Sequence, residues 1–138
     1  AAGQAVFYPV IADGAGAAPA GGFVTFANAA TGTAYTTGYL PFTPSAIYAV
    51  LMPLATGNIY RSVASNNFGT QGEAWTNDTI ASATVAATNT LQLWDNIIAA
   101  FTGATAGDTF NLNYRRTGGN ANDTCEGDVQ FYGILVVP

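Results

Sequence analysis

The sequence predicts an all-β fold, a single sandwich of about 8–10 strands, and three observations carry that expectation. Short alternating runs recur between clusters of Gly, Pro, Asn and Thr, the pattern of sandwiches and barrels rather than of alternating strands and helices. Aromatic residues crowd these runs, with 7 Tyr, 8 Phe and 2 Trp among 138 residues. No heptad, no internal repeat and no apolar run near the ~18 residues of a membrane-spanning helix competes with that pattern.

The runs fall at 5–11, 22–26, 33–40, 46–52, 58–64, 71–75, 79–86, 91–99, 109–116 and 128–137, enough strands for two sheets. Alternation is clearest over 109–116. There Phe110, Leu112 and Tyr114 share one face, and Thr109, Asn111, Asn113 and Arg115 share the other, so one side is expected to be buried. In 128–137 one face carries Val129, Phe131, Gly133, Leu135 and Val137, and the opposite one Gln130, Tyr132, Ile134 and Val136. With both faces largely apolar, that strand is expected to be central or covered by a neighbouring subunit.

The stretch 91–101 fits two periods. Leu91, Trp94, Ile98 and Phe101 make a helical stripe, whereas Leu91, Leu93, Ile97, Ala99 and Phe101 make a strand broken at Asp95. The all-β context favours mainly strand, followed by a turn at 102–108 with room for a brief helical loop. Residues 13–22, DGAGAAPAGG, read as a long surface loop or as the flexible end of a candidate N-terminal arm, 1–21. At this length the chain is expected to form one domain, 1–138.

Composition then limits function. The chain has no histidine and no lysine, only Arg61, Arg115 and Arg116 as cations, and one cysteine. Neither a Ser-His-Asp triad nor a Ser-Lys dyad can be built from it, and the expectation is a non-enzymatic protein with no catalytic, cofactor-binding or metal-ligating residues assigned. Its net charge of −5 repels phosphate backbones, which argues against nucleic acid as a partner. Charged residues make up only 8 %, so the surface is expected to be covered by small polar side chains or by partner subunits. Cys125 has no partner for an intramolecular disulfide and is expected to be a buried, inert thiol. The N-terminus AAGQAVFYPV lacks the basic and apolar regions of a secretory signal, as expected either after signal removal or for a chain begun Met-Ala.

The densest polar group is Asp123, Glu126 and Asp128 in NDTCEGD, with Asp108 on a nearby turn and Arg115 and Arg116 just upstream. Such carboxylates suit calcium in kind, but their spacing is not that of an EF-hand. They are expected to cap turns, one of them pairing with an Arg across the hairpin, a contact worth at most about 1 kcal/mol where exposed. Asp95 or Glu73 opposite Asp108 would be the pair for glycoside hydrolysis, yet no spacing fixes that geometry. Trp75, Trp94 and the tyrosines at 8, 35, 39, 48, 60, 114 and 132 serve either as core or as stacking platforms for a glycan. The two glycosylation-type triplets, Asn77-Asp78-Thr79 and Asn122-Asp123-Thr124, read as turns.

The C-terminal third carries, in order, Gly107-Asp108, Tyr114-Arg115-Arg116, Asn122-Asp123-Thr124 and Gly127-Asp128-Val129-Gln130-Phe131-Tyr132-Gly133-Ile134. A GD turn, an Arg-bearing strand, a DT loop and a GD-led strand closing on hydrophobic-Gly-hydrophobic follow one another. This series resembles the closing strands of small jelly-roll virion proteins of tailed bacteriophages. It covers about a quarter of the chain, its motifs are short, and Cys125 with Glu126 inside the loop depart from the pattern. The resemblance implies a jelly-roll sandwich placed on the virion surface as a capsid decoration, head-fibre or tail-associated module. It further implies a homo-oligomer, often a trimer, with other virion proteins such as the major capsid protein as partners. Two other classes fit the composition: an extracellular filament subunit whose segment 5–11 completes a neighbour's sheet, with 13–22 as hinge, and a carbohydrate-binding module.

Overall fold

In the computed structural model, which describes residues 3–67, 75–85 and 89–138, the chain forms two antiparallel sheets packed face to face. The strands are β1 (Val6–Pro9), β2 (Ala12–Asp13), β3 (Val24–Phe26), β4 (Thr31–Tyr39), β5 (Ala46–Pro53), β6 (Gly57–Asn67), β7 (Trp75–Val85), β8 (Gln92–Asn96), β9 (Thr109–Thr117) and β10 (Val129–Val137). One sheet runs β1-β10-β5-β8, with β3 continuing the β1 edge alongside β10; the other runs β2-β4-β9-β6-β7. From β4 onward the chain changes sheet at every step except the β6–β7 hairpin, which makes the strand order that of a jelly roll. Of the expected run 71–75, residues 71–74 lie outside the described residues and Trp75 opens β7.

The core is one layer between the sheets. Into it point Phe110, Leu112 and Tyr114 from β9, as the alternation requires, together with Ile59 and Val63 from β6 and Ile47, Ala49 and Leu51 from β5. Tyr114 reaches across to stack on Phe131 at 4.7 Å between ring centroids, and Phe131 stacks on Phe26 at 5.7 Å. These rings tie β9 of one sheet to β10 and β3 of the other.

Three bulges set which side chains face inward. In β10 the pairing with β5 slips between Phe131 and Gly133, so Tyr132 is the extra residue. The core face is therefore Val129 and Phe131 before the bulge and Ile134 and Val136 after it, while Leu135 and Val137 turn outward. This corrects the strict alternation expected over 128–137: two apolar faces are largely one core face with a change of phase. Gly133 allows it, with φ +146 and a position where a Cβ would collide with the Tyr8 carbonyl oxygen and lie 2.9 Å from Pro9 Cα. A second bulge lies in the β6–β7 pairing opposite Ile59 and Arg61.

The third falls in β8, where Tyr48 pairs with Asn96 and Ala49 with Trp94, leaving Asp95 unpaired at φ +63. Strand ends there. Asn96 Oδ1 accepts from the backbone N–H groups of Ile47 and Ile98, both at 3.2 Å, and a 3-10 turn follows over Ile98–Phe101. The stretch 91–101 is thus half strand and half turn, with neither period holding throughout.

The N-terminal segment crosses the rim of the sandwich. Val10 N donates to Tyr132 O in one sheet at 2.9 Å and Ile11 N to Tyr35 O in the other at 2.8 Å. The 13–22 loop begins at Asp13, whose Oδ1 accepts from Ala15 N at 2.9 Å and Ala17 N at 3.0 Å. An Asx turn of this kind shapes the loop locally.

Candidate functional site

Two of the three arginines are inside the sandwich. Arg116 follows Phe110, Leu112 and Tyr114 on the inward face of β9, and Arg61 lies between Ile59 and Val63 on the inward face of β6; both are fully buried. Neither position was legible as core, because arginine is almost never fully buried unless paired.

Arg116 uses all five of its N–H donors. Nε and Nη2 form a fork on Asp123 at 2.9 and 2.8 Å, Nη2 also donates to Cys125 O at 2.6 Å, and Nη1 to Gly127 O at 2.8 Å and Phe26 O at 3.3 Å. Asp123 also accepts from Tyr60 N at 3.1 Å. Burial pulls the guanidinium down, but the hydrogen bonds and charge of Asp123 outweigh it and hold the Arg116 pKa above its ordinary value. One side chain thereby fixes the whole 123–127 loop. The expected Arg–carboxylate pair exists, but in the interior, where the surface figure of about 1 kcal/mol does not apply.

Arg61 forms a second fork, on Asp95: Nε meets Oδ2, and Nη2 donates to Oδ1 at 2.5 Å. Tyr114 OH donates to Asp95 Oδ2 at 2.8 Å. The bulge explains the geometry, since an unpaired residue in the left-handed region lets a strand carboxylate turn inward. Burial and, next, the Asp95 charge raise the Tyr114 pKa well above its usual value, although Arg61 opposes them. Unfolded tyrosine ionises near 10, so above about that pH the unfolded chain releases its proton first and stability falls as pH rises toward the folded value. Tyr114→Phe is expected to flatten that alkaline decline by up to about 1.4 kcal/mol per pH unit, read from urea unfolding between pH 9.5 and 11.5.

The structure disperses the remaining acidic residues. Asp128 Oδ1 caps Asn28 N at 2.8 Å, Asp108 Oδ2 accepts from Thr105 N at 3.0 Å within its turn, and Glu126 is exposed. Among the described residues, no three His, Cys, Asp or Glu side chains come together as a metal site. Asp95 is engaged by Arg61, and Glu73 lies outside the described residues. Cys125 is buried, its Sγ 3.4 Å from Ala55 O. Of Asn122-Asp123-Thr124, Asn122 lies in a turn that Asp123 N closes on Asn120 O at 2.9 Å, and Thr124 follows it, its Oγ1 accepting from Asn58 N at 2.9 Å. Asn77-Asp78-Thr79 is not a turn: it lies within β7, paired with residues 62–64 of β6.

The aromatic candidates divide. Tyr114 is core, and Tyr8 packs edge-on to Phe110 with its hydroxyl on Tyr39 O. Tyr35, Tyr48, Tyr60 and Tyr132 are half-buried and Tyr39 is exposed. The side chains of Trp75 and Trp94 lie outside the described residues.

The two outer faces differ in chemistry. On the sheet β1-β10-β5-β8, Phe7, Leu135 and Tyr48 form one cross-strand row, Val50 sits opposite Leu93, and Met52 opposite Gln130. Phe7 is 46 % and Leu93 59 % exposed, and no charged residue interrupts these rows. On the other sheet the corresponding rows are Thr33, Arg115 and Ser62, then Tyr35, Asn113 and Ala64, with Thr37 beside Asn111. Hollows of about 530, 360 and 100 Å³ mark the surface, the largest between the 13–22 loop and the start of β3 and β4. No helix among the described residues is long and apolar enough to cross a membrane. No known protein family, curated protein or solved structure matches this chain.

Proposed function

We propose that the chain is a non-enzymatic structural protein of a virion surface, a capsid decoration or fibre module that acts by burying a sheet face against neighbouring subunits. The observation that carries this reading is the uncharged, apolar outer face of β1-β10-β5-β8 on a sandwich whose other outer face is polar. Exposed apolar patches rimmed by polar residues mark interaction surfaces, and this one lies on a rigid sheet. The arginine–aspartate forks support the same reading, since they are spent on holding loops and strands. The phage assignment rests on the motif series over 107–134, and a jelly-roll order alone assigns no function. Pairing of β1 with β10 of its own chain takes the sheet edge that strand addition would need, which favours decoration over a filament subunit.

The test is assembly. The wild-type chain is expected to run as an oligomer, a trimer on the resemblance, in light scattering coupled to size exclusion. Leu93→Glu places a charge in the contact and is expected to shift the population to monomer with an unchanged circular dichroism spectrum. A wild-type monomer at high micromolar concentration, or virions of the source lacking the chain, would overturn the proposal.

A further inference from the structure

We propose that the outer face of β4, β9 and β6 is a second site, one that binds a saccharide carrying a carboxylate. It lies on the sheet opposite the assembly face and does not depend on it.

The site starts from uneven side-chain size along two register rows. Asn113 stands opposite Ala64 and Arg115 opposite Ser62, so the short side chains of β6 leave a hollow of about 100 Å³ beside the long ones of β9. On the other flank of Asn113, its partner Tyr35 lines a hollow of about 360 Å³ shared with Ile11, Thr37 and Asn111. Directly opposed side chains in an antiparallel pair are only about 5 Å apart, so the two hollows flank a single Tyr35–Asn113 row. The larger one alone falls within the usual range of small-ligand sites.

Two polar groups there, Asn113 and Arg115, lack partners among the described residues, and such a sugar supplies them. Asn113 Oδ1 is shielded from solvent and has no hydrogen-bond partner among the described residues, a state that costs free energy until a donor arrives. A ring hydroxyl is such a donor once the amide turns about χ2 to bring the oxygen to the surface. Arg115 is exposed and, unlike Arg61 and Arg116, forms no fork with a carboxylate among the described residues. A guanidinium in that state matches a carboxylate in two parallel hydrogen bonds. Tyr35 adds a half-buried ring for the apolar face of a pyranose. The chain's net charge of −5 disfavours polyanions, which points to one acidic group on an otherwise neutral, hydroxyl-rich body.

Saturation-transfer NMR on the intact chain tests this, with 3′-sialyllactose and methyl β-glucuronide as singly charged acidic probes, lactose and methyl β-glucoside as their neutral counterparts, and inorganic sulfate as competitor. At least one acidic probe is expected to bind, and its neutral counterpart to bind much more weakly. Arg115→Gln and Tyr35→Ala are each expected to weaken that binding by about tenfold or more with thermal unfolding unchanged, since a charge-assisted contact is lost in the first case. Four results would overturn the proposal: no probe bound at millimolar concentration, neutral and acidic probes bound alike, binding indifferent to Arg115→Gln, or full displacement by equimolar sulfate.

Discussion

Arg116→Met is expected to destabilise the protein by about 5 kcal/mol, the upper end of the range for breaking a buried ion pair. The substitution leaves the Asp123 carboxylate, whose side chain is only 1 % exposed, without its counter-charge. It also strips donors from the carbonyls of Phe26, Cys125 and Gly127. An unfolding free energy of ordinary size, about 5–15 kcal/mol, would be largely consumed. Urea denaturation monitored by tyrosine and tryptophan fluorescence measures it. Arg116→Lys keeps the charge but replaces a planar fork with a point donor, and is expected to recover only part of the loss. A cost below about 1 kcal/mol for Arg116→Met would mean that the pair behaves as if solvated.

Asp95→Asn is expected to cost about 3–5 kcal/mol, through Arg61 rather than through the backbone. Asparagine tolerates the left-handed φ of +63 at this bulge as readily as aspartate does, so the strand keeps its shape. What remains is a guanidinium at 0 % side-chain exposure facing a neutral amide. The double variant Arg61→Met/Asp95→Asn separates charge from packing: with both charges gone, most of the lost stability should return. If single and double variants unfold at the same urea concentration, the bulge matters for its shape and not for its carboxylate.

How much of this was legible in the sequence depended on where the chain keeps a two-residue period. β9 keeps it for its whole length, and its apolar face was readable down to Tyr114. β10 breaks it at Tyr132, so Ile134 and Val136 were assigned to the wrong face although the strand itself was found. A bulge needs no unusual composition beyond one glycine, and Gly133 among 16 glycines is no signal. The burial of the ion pairs, and the Arg61–Asp95 pair altogether, were hidden for a different reason. Arg61 and Arg116 occupy apolar positions of their strands, and Asp95 and Asp123 meet them from 34 and 7 residues away. Arg116 follows Tyr114 by two and so continues the apolar face in period, but a buried arginine is rare enough unless paired that the period alone does not place it in the core. The contrast between outer faces required the register, because which residues lie side by side across strands is fixed by the bulges.

Antiparallel neighbours β1 and β10 begin to pair at Val6 with Val136. During synthesis β1 therefore waits until the ~130 residues that separate these partners have been made, on the order of 10 s at ordinary ribosomal rates. Meanwhile β5 also lacks its β10 neighbour, so two apolar ribbons stand uncovered at once. A cell making this protein in quantity must shelter nascent chains from one another, and yield should respond to chaperone supply more than to codon choice.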